Sequence, residues 1–202
     1  MMPVRIILAS SNAGKLREYV ELAESSPLDL SLLPGFADLA PFEESAPTFA
    51  ENAAGKALHY SKFTKDIVLA DDSGLVVPAL GGEPGVHSAR YAGPNATDSD
   101  RVEKLLRAME GKDGNDRRAR FVCVIAIARA GRAIGVVSDL AQGVILNEPR
   151  GKNGFGYDPV FLFPELGRTY AEISPEEKNH LSHRGKAFRK VLNLFDEAGS
   201  FS

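Results

Sequence analysis

The sequence predicts an α/β fold: a mixed sheet with helices packed around it. Three observations carry that expectation. Short apolar runs that end in turns alternate with helix-period segments through the first half of the chain. A pair of strands around Gly131 reads as a hairpin, which a wholly parallel sheet would not contain. The 202 residues are 44% hydrophobic and 25% charged, enough for one domain with a sizeable core and no long disordered tract. The chain carries no internal repeat, linker or low-complexity segment.

Residues 4–9 read as a buried strand that runs into the turn Ser10-Ser11-Asn12-Ala13-Gly14. A helix follows over 15–24, with Leu16, Tyr19, Val20 and Ala23 on its apolar face. Residues 28–33 form a second strand, and 34–47 a loop that is acidic at Glu43-Glu44. Thr48, with Glu51 three residues on, is a capping-box start for a helix that continues to about Lys62. Ile67-Val68-Leu69-Ala70 is a short buried strand ending at Asp71-Asp72. Gly81-Gly82-Glu83-Pro84-Gly85 is a loop, and Thr97 or Asp98 opens a helix through Met109. Residues 120–128 and 133–137 are the hairpin strands, 151–158 a glycine-rich loop and 160–163 another short strand. Pro175-Glu176-Glu177-Lys178 resembles a first helical turn, and 182–195 a closing helix.

Composition excludes several function classes. Lys and Arg total 24 against 27 Asp and Glu, a net charge of −3, so no basic bias points to nucleic acid. A polyanionic substrate would need locally placed cations or a metal. The single Cys123 lies in Phe121-Val122-Cys123-Val124-Ile125; it reads as a small apolar strand residue, with no intramolecular disulfide or zinc site. No segment has the layout of a signal peptide or the length of a membrane span, so the expected location is the cytosol.

Four segments carry residues suited to chemistry. Ser10, Ser11, Asn12, Ala13, Gly14 and Lys15 sit between a strand and a helix, where free N–H groups and a lysine suit phosphate. Read alone, this is equally an ordinary strand-to-helix turn. It is not a Walker A loop, because Ala9 and Leu16 stand where a Gly and a Ser/Thr are needed. Asp71-Asp72-Ser73-Gly74 puts two carboxylates after a strand, with neighbouring side chains on opposite faces and so in different roles; the alternative is a turn. One Asp could ligate Mg²⁺ and position water. Asn52 and Lys56 share a helix face that alone reads as solvated and polar, and Glu43-Glu44 alone as exposed acid. In Gly154-Phe155-Gly156-Tyr157-Asp158, the aromatics suit stacking on a flat base and Asp158 suits a ring N–H; the alternative is a flexible loop anchored by its aromatics. Lys178, His180, His183 and Arg184 supply donors; no Cys or third His nearby completes a zinc site.

Together these segments resemble the inosine/xanthosine triphosphate pyrophosphatase family, the pyrophosphatases of non-canonical purine NTPs, from Ile6 to about Leu194. The matching pieces are Ser10-x-Asn12-x-x-Lys15, Thr48-Phe49-x-Glu51-Asn52-Ala53, Ala70-Asp71-Asp72-Ser73-Gly74-Leu75 and Gly81-Gly82-x-Pro84-Gly85-Val86-x-Ser88-Ala89-Arg90. Gly154-Phe155-Gly156-Tyr157-Asp158-Pro159, Glu177-Lys178 and Ser182-His183-Arg184 complete the set. The resemblance implies a single bilobed domain over 1–202: an elongated central mixed sheet, two lobes and an active-site cleft between them. It also implies a homodimer, dependence on Mg²⁺, and hydrolysis of ITP, dITP or XTP to monophosphate and pyrophosphate, with neither nucleic acid nor membrane as partner. By matching position, Asp72 is the catalytic carboxylate, and Asp72 and Glu44 are the metal ligands, with Glu43 beside the latter. Ser10, Ser11, Asn12, Ala13, Gly14, Lys15 and Lys56 hold the phosphates, and Ser73 contacts substrate. Phe155, Gly156, Tyr157, Asp158, Lys178, His183 and Arg184 frame the base. Ser10-Ser11 replaces the more usual Thr followed by Gly or Ser, and Gly55 slightly weakens its helix. Two other readings are a Maf-like pyrophosphatase for other modified nucleotides and a nucleotide-binding regulatory module without turnover. Phe155 to Asp158 with His183-Arg184 argue against the first, and intact Asp71-Asp72 with Lys15 against the second.

Overall fold

The computed structural model describes residues 4–24 and 26–197. Its strands are β1 (Val4–Leu8), β2 (Leu28–Leu32), β3 (Ile67–Val76), β4 (Arg118–Arg129), β5 (Arg132–Ile145), β6 (Phe161–Phe163) and β7 (Arg168–Thr169). The helices are α1 (Ala13–Glu24), α2 (Phe49–Tyr60), α3 (Asp98–Ala108), α4 (Pro175–Leu181) and α5 (His183–Glu197). One seven-stranded sheet runs in the order β2-β1-β3-β4-β5-β6-β7. β1 pairs in parallel with both β2 and β3, as expected of strands joined through helices. β5–β6 and β6–β7 are antiparallel. The sheet is therefore mixed, and the predicted α/β class holds.

Local chemistry sets the element ends. Asn12 Oδ1 accepts from the Lys15 N–H at 3.0 Å and so caps α1. Thr48 caps α2 by accepting from the Glu51 N–H. Thr97 opens α3 with a full capping box closed by Asp100. Ala130 and Gly131, at φ 50° and 75°, make the two-residue β4–β5 turn, both in the left-handed region that a type I′ hairpin requires.

Three readings need correction. The strand starting at Ile67 does not end at the two aspartates; β3 runs on to Val76, carrying Asp71, Asp72, Ser73 and Gly74 inside it. Those residues disfavour strand locally, but Asp71, Asp72 and Gly74 each meet a partner from another segment. Gly74 is one such case: a Cβ there would fall 2.5 Å from the Gly85 carbonyl oxygen. That approach lets Ser88 Oγ accept from the Leu75 N–H at 2.9 Å, which ties together two of the motif pieces. Second, Val20 is 48% exposed, so the buried face of α1 is Gly14, Glu18, Tyr19, Leu22 and Ala23. Third, the hairpin strands are longer than their apolar centres indicated.

The chain divides into two compact units, one of residues 1–72, 123–139 and 184–202, the other of 73–122 and 140–183. The first has a core of Ile6, Leu8, Tyr19, Leu69, Ile125 and Phe188 among others. The core of the second includes Leu75, Leu105, Phe121, Tyr157, Phe161 and Tyr170. Among the described residues, no helix is long and apolar enough to cross a membrane.

Candidate active site

In the first unit, β1 delivers Ser10 to Gly14 to the N-terminus of α1, where Ser11, Asn12 and Ala13 are exposed. Helix N-terminal N–H groups and the positive end of the helix dipole suit an anion there. Lys15 Nζ lies 3.0 Å from Asp71 Oδ2, so the lysine is held from below.

Because side chains alternate along a strand, Asp71 and Asp72 face different neighbours. Asp71 is fully buried, and Arg184 Nη2 lies 3.5 Å from its Oδ2. Burial alone would raise its pKa, but Lys15, Arg184 and Lys56 outweigh it and hold the carboxyl down at about 2. Asp72, 4% exposed, accepts from Asn52 Nδ2 at 3.0 Å. Its pKa is pushed up to about 6, first by burial and, against the pull of Lys15, also by the charge of Glu44. Two adjacent carboxylates thus differ in kind: one is a permanent anion, the other is poised near neutrality.

Glu44 pairs with Lys56 Nζ, which also donates to the Asp71 carbonyl oxygen at 2.9 Å. Burial works against the Lys56 charge, but Asp71 and Glu44 more than compensate and raise its pKa. Glu43 is exposed, so Glu44 is the member of the acidic pair that faces the cluster. The repulsion between Glu44 and Asp72 is what a hard divalent cation would relieve. The buried Asp71 Oδ1 has no hydrogen-bond partner, a further oxygen in the same cluster. Among the described residues there is no group of three or more His, Cys, Asp or Glu side chains able to hold a metal. Mg²⁺ needs only one or two carboxylates when phosphate oxygens complete its shell, so this donor set fits it. Cys123 is buried, and burial followed by the Asp71 charge pushes its thiol up to about 12, so it is no nucleophile at neutral pH.

The second unit holds the glycine-rich loop. Asp158 Oδ2 accepts from the Phe155 N–H at 2.8 Å and pairs with Lys178 Nζ. Gly154, at φ 75°, leaves the room for that carboxylate, since a Cβ would overlap it. Asp98 Oδ2 accepts from the Gly156 N–H at 2.7 Å. Phe155 is half-buried with the Lys178 ammonium 4.9 Å from its ring centroid. His183, buried, stacks on Phe121 at 4.8 Å and 10°. Ser73 follows Asp72 directly on β3.

A model of the Ham1 family matches residues 6–194. A dITP/XTP pyrophosphatase of Geobacillus kaustophilus is 49% identical over 95% of this chain and 94% of its own length. Among solved structures, a HAM1 protein from Coxiella burnetii superposes with TM-score 0.84 at 45% identity, covering 96% of this chain and 99% of that one. The Ham1 protein of Staphylococcus aureus reaches 0.84 at 38% identity, over 96% and 99%. This chain belongs to the Ham1 family.

Within this Ham1 chain, three expected site residues make contacts that the sequence alone did not indicate. Tyr157 is 3% exposed, packs in the second core and donates its hydroxyl to the Ser88 carbonyl at 2.9 Å, so it anchors the loop and presents no stacking face. Arg184 is 2% exposed, and its guanidinium pairs with Glu18 and Asp71 in the first unit. These pairs set the guanidinium beside Asp71, where its charge helps to keep that carboxyl ionised. Lys56, at 9% exposure, is no solvated surface lysine, and Asn52 beside it is fully buried. Sequence reasoning missed Glu18 and Asp98 altogether. Glu18 had a signal: it lies four residues from both Gly14 and Leu22, a charge on the buried stripe of an amphipathic helix. Asp98, read only as a helix start, had none.

Proposed function

We propose that the chain hydrolyses ITP, dITP and XTP to the monophosphate and pyrophosphate, clearing such nucleotides from the cellular pool. The observation that carries this reading is the pair of β3 carboxylates with opposite electrostatics beside two lysines. The substrate class comes from the pyrophosphatase relatives.

A triphosphate is polyanionic and the chain is not basic overall, so binding depends on placed cations. Lys15 and Lys56 supply them, and the N–H groups of the Ser10 to Gly14 turn receive phosphate oxygens. Asp72, ionised above about pH 6, orients a water and takes its proton. The water oxygen bonds to the α-phosphorus, the bond to the bridging oxygen breaks, and pyrophosphate leaves with the electron pair. The lysine ammoniums neutralise that developing charge. Asp72 and Glu44 would hold Mg²⁺, which when bound supplies Lewis-acid neutralisation of the phosphates. Phe155 stacks on the base, and Lys178, Asp158, His183 and Arg184 read its edge. We place the enzyme in the cytoplasm as a homodimer, a state that size-exclusion chromatography with light scattering tests.

The deciding assay measures products from ITP, XTP, dITP, GTP and ATP. Monophosphate and intact pyrophosphate are expected from the first three in preference to ATP, with activity abolished by excess EDTA. Diphosphate plus orthophosphate would place the attack at the γ-phosphorus and end this reading.

The metal requirement should depend on pH. Proton and Mg²⁺ compete for the Asp72 oxygens, and this carboxyl keeps its proton up to about pH 6. Below that pH the Mg²⁺ concentration for half-maximal rate should rise toward about tenfold per pH unit, the limit for one displaced proton, and above pH 7 it should level off. A flat Mg²⁺ requirement from pH 5 to 7 would remove Asp72 from the metal site.

A further inference from the structure

Glu44 lies on the segment between Asp38 and Phe49, which is held against α2 by a single helix face. Asn52, Gly55, Lys56, His59 and Tyr60 make up that face, spaced three and four apart. Asn52 Oδ1 accepts from the Ala46 N–H at 3.0 Å, fixing the loop two residues after Glu44. Tyr60 Oη accepts from the Phe42 N–H at 3.2 Å, fixing it two residues before. His59 Nε2 sits 2.9 Å from the Ala40 carbonyl oxygen.

Between these anchors the Phe42 ring rests on Gly55. A Cβ at Gly55 would overlap Phe42 Cζ and lie 3.0 Å from Cε2. Glycine inside a helix costs about 1 kcal/mol relative to alanine. Gly55 has ordinary helical backbone, so no left-handed conformation requires it. What it provides is space: the ring occupies the volume that a side chain would fill.

We infer that Phe42 seated on Gly55 is a positioning device for Glu44, setting how closely its carboxylate approaches Lys56 and Asp72 and thereby the affinity of that pair for a divalent cation. The inference rests on the reading of Glu44 as a metal ligand. Phe42 touches no reacting atom and acts only through the loop. Groups that orient metal ligands typically change affinity by about 10–100-fold when altered.

The test is Mn²⁺ binding to the whole protein, read from the electron paramagnetic resonance of free Mn²⁺, alongside thermal stability and the Mg²⁺ dependence of pyrophosphate release. Phe42→Ala removes the ring, and Gly55→Leu displaces it; each should weaken Mn²⁺ binding by about tenfold. Each should leave kcat at saturating metal close to that of the parent protein. Phe42→Leu, the milder change, should fall between. The double substitution Phe42→Ala with Gly55→Leu returns an apolar group to the same space from the helix side and should recover part of the affinity. Glu44→Gln separates the two ideas. If Glu44→Gln weakens Mn²⁺ binding while the Phe42 and Gly55 variants lose only thermal stability, the ring is packing alone and the inference fails. If Glu44→Gln leaves Mn²⁺ binding unchanged, Glu44 is no ligand and both readings fail.

Discussion

Asp72→Asn is expected to leave a folded protein that turns over substrate about 10²–10⁴-fold more slowly than the parent, the usual loss for a general base. The introduced amide is nearly isosteric and its oxygen still accepts from Asn52 Nδ2, so the hydrogen bond that holds the position survives. What disappears is the negative charge that takes the proton and engages the metal. Stability should not fall. The folded protein holds the Asp72 proton more tightly than an unfolded chain would, because its pKa rises to about 6. Stability is therefore lost as pH climbs from the unfolded carboxyl value of about 4 to about 6, and at neutral pH ionised Asp72 is a net liability. A neutral amide removes that cost, so Tm at pH 7–8 should hold or rise. Asp71→Asn should behave in the opposite way. Its carboxyl, held at about 2, stabilises the fold throughout the range above the unfolded value, an effect lost only as pH falls through about 2. Removing its charge strands Lys15 and part of Arg184 without their counter-ion, and breaking a buried pair costs about 3–5 kcal/mol. Tm and kcat measured on both variants give a crossed pattern. If Asp72→Asn lowers Tm and Asp71→Asn does not, the division of labour between them is wrong.

That division was only half legible in the sequence. Opposite faces for the two aspartates followed from strand alternation, but the strand itself was expected to stop before them. Asp, Ser and Gly favour turns, and the partners that hold 71–74 extended, Lys15, Asn52, Ser88 and Arg184, come from distant segments. The helix starts at Thr48 and Thr97 were readable because capping is local chemistry. β7 was not, since two residues carry no periodicity. Among the site residues, Lys15 and Asp72 stood out by type and position. Asn52 and Lys56 looked like a wet helix face because nothing local shows that the Glu44 loop covers it. The ion pair of Arg184 was hidden for a similar reason: Glu18, its partner, is 166 residues away in sequence.

In the proposed base site Asp158 and Lys178 form a paired acceptor and donor, and Asp158→Asn should collapse base selectivity. A 6-oxopurine presents an acceptor at O6 beside a donor at N1–H; adenine presents the reverse, a 6-amino donor beside a bare N1. A lysine and a carboxylate side by side match the first pattern and clash with the second. The amide in Asp158→Asn can keep its oxygen toward the Phe155 N–H and Lys178, which Oδ2 meets in the parent protein, so the loop should hold its shape. The other carboxylate oxygen becomes an NH₂ group. Toward N1–H that is donor against donor; toward adenine N1 it is a new hydrogen bond. Loss of a hydrogen bond to a charged group is worth about 1.5–3 kcal/mol, or roughly 10–150-fold. kcat/KM for ITP and XTP should fall by that order while the value for ATP holds or rises, so the ITP:ATP ratio closes from both sides. Phe155→Ala is the control, because stacking reads a flat face and its loss should weaken all purines more evenly. The measurement is kcat/KM for ITP, XTP, GTP and ATP in both variants. GTP, which shares the 6-oxo edge, should follow ITP. Should Asp158→Asn reduce all four alike, the carboxylate only supports the loop and the base is read elsewhere.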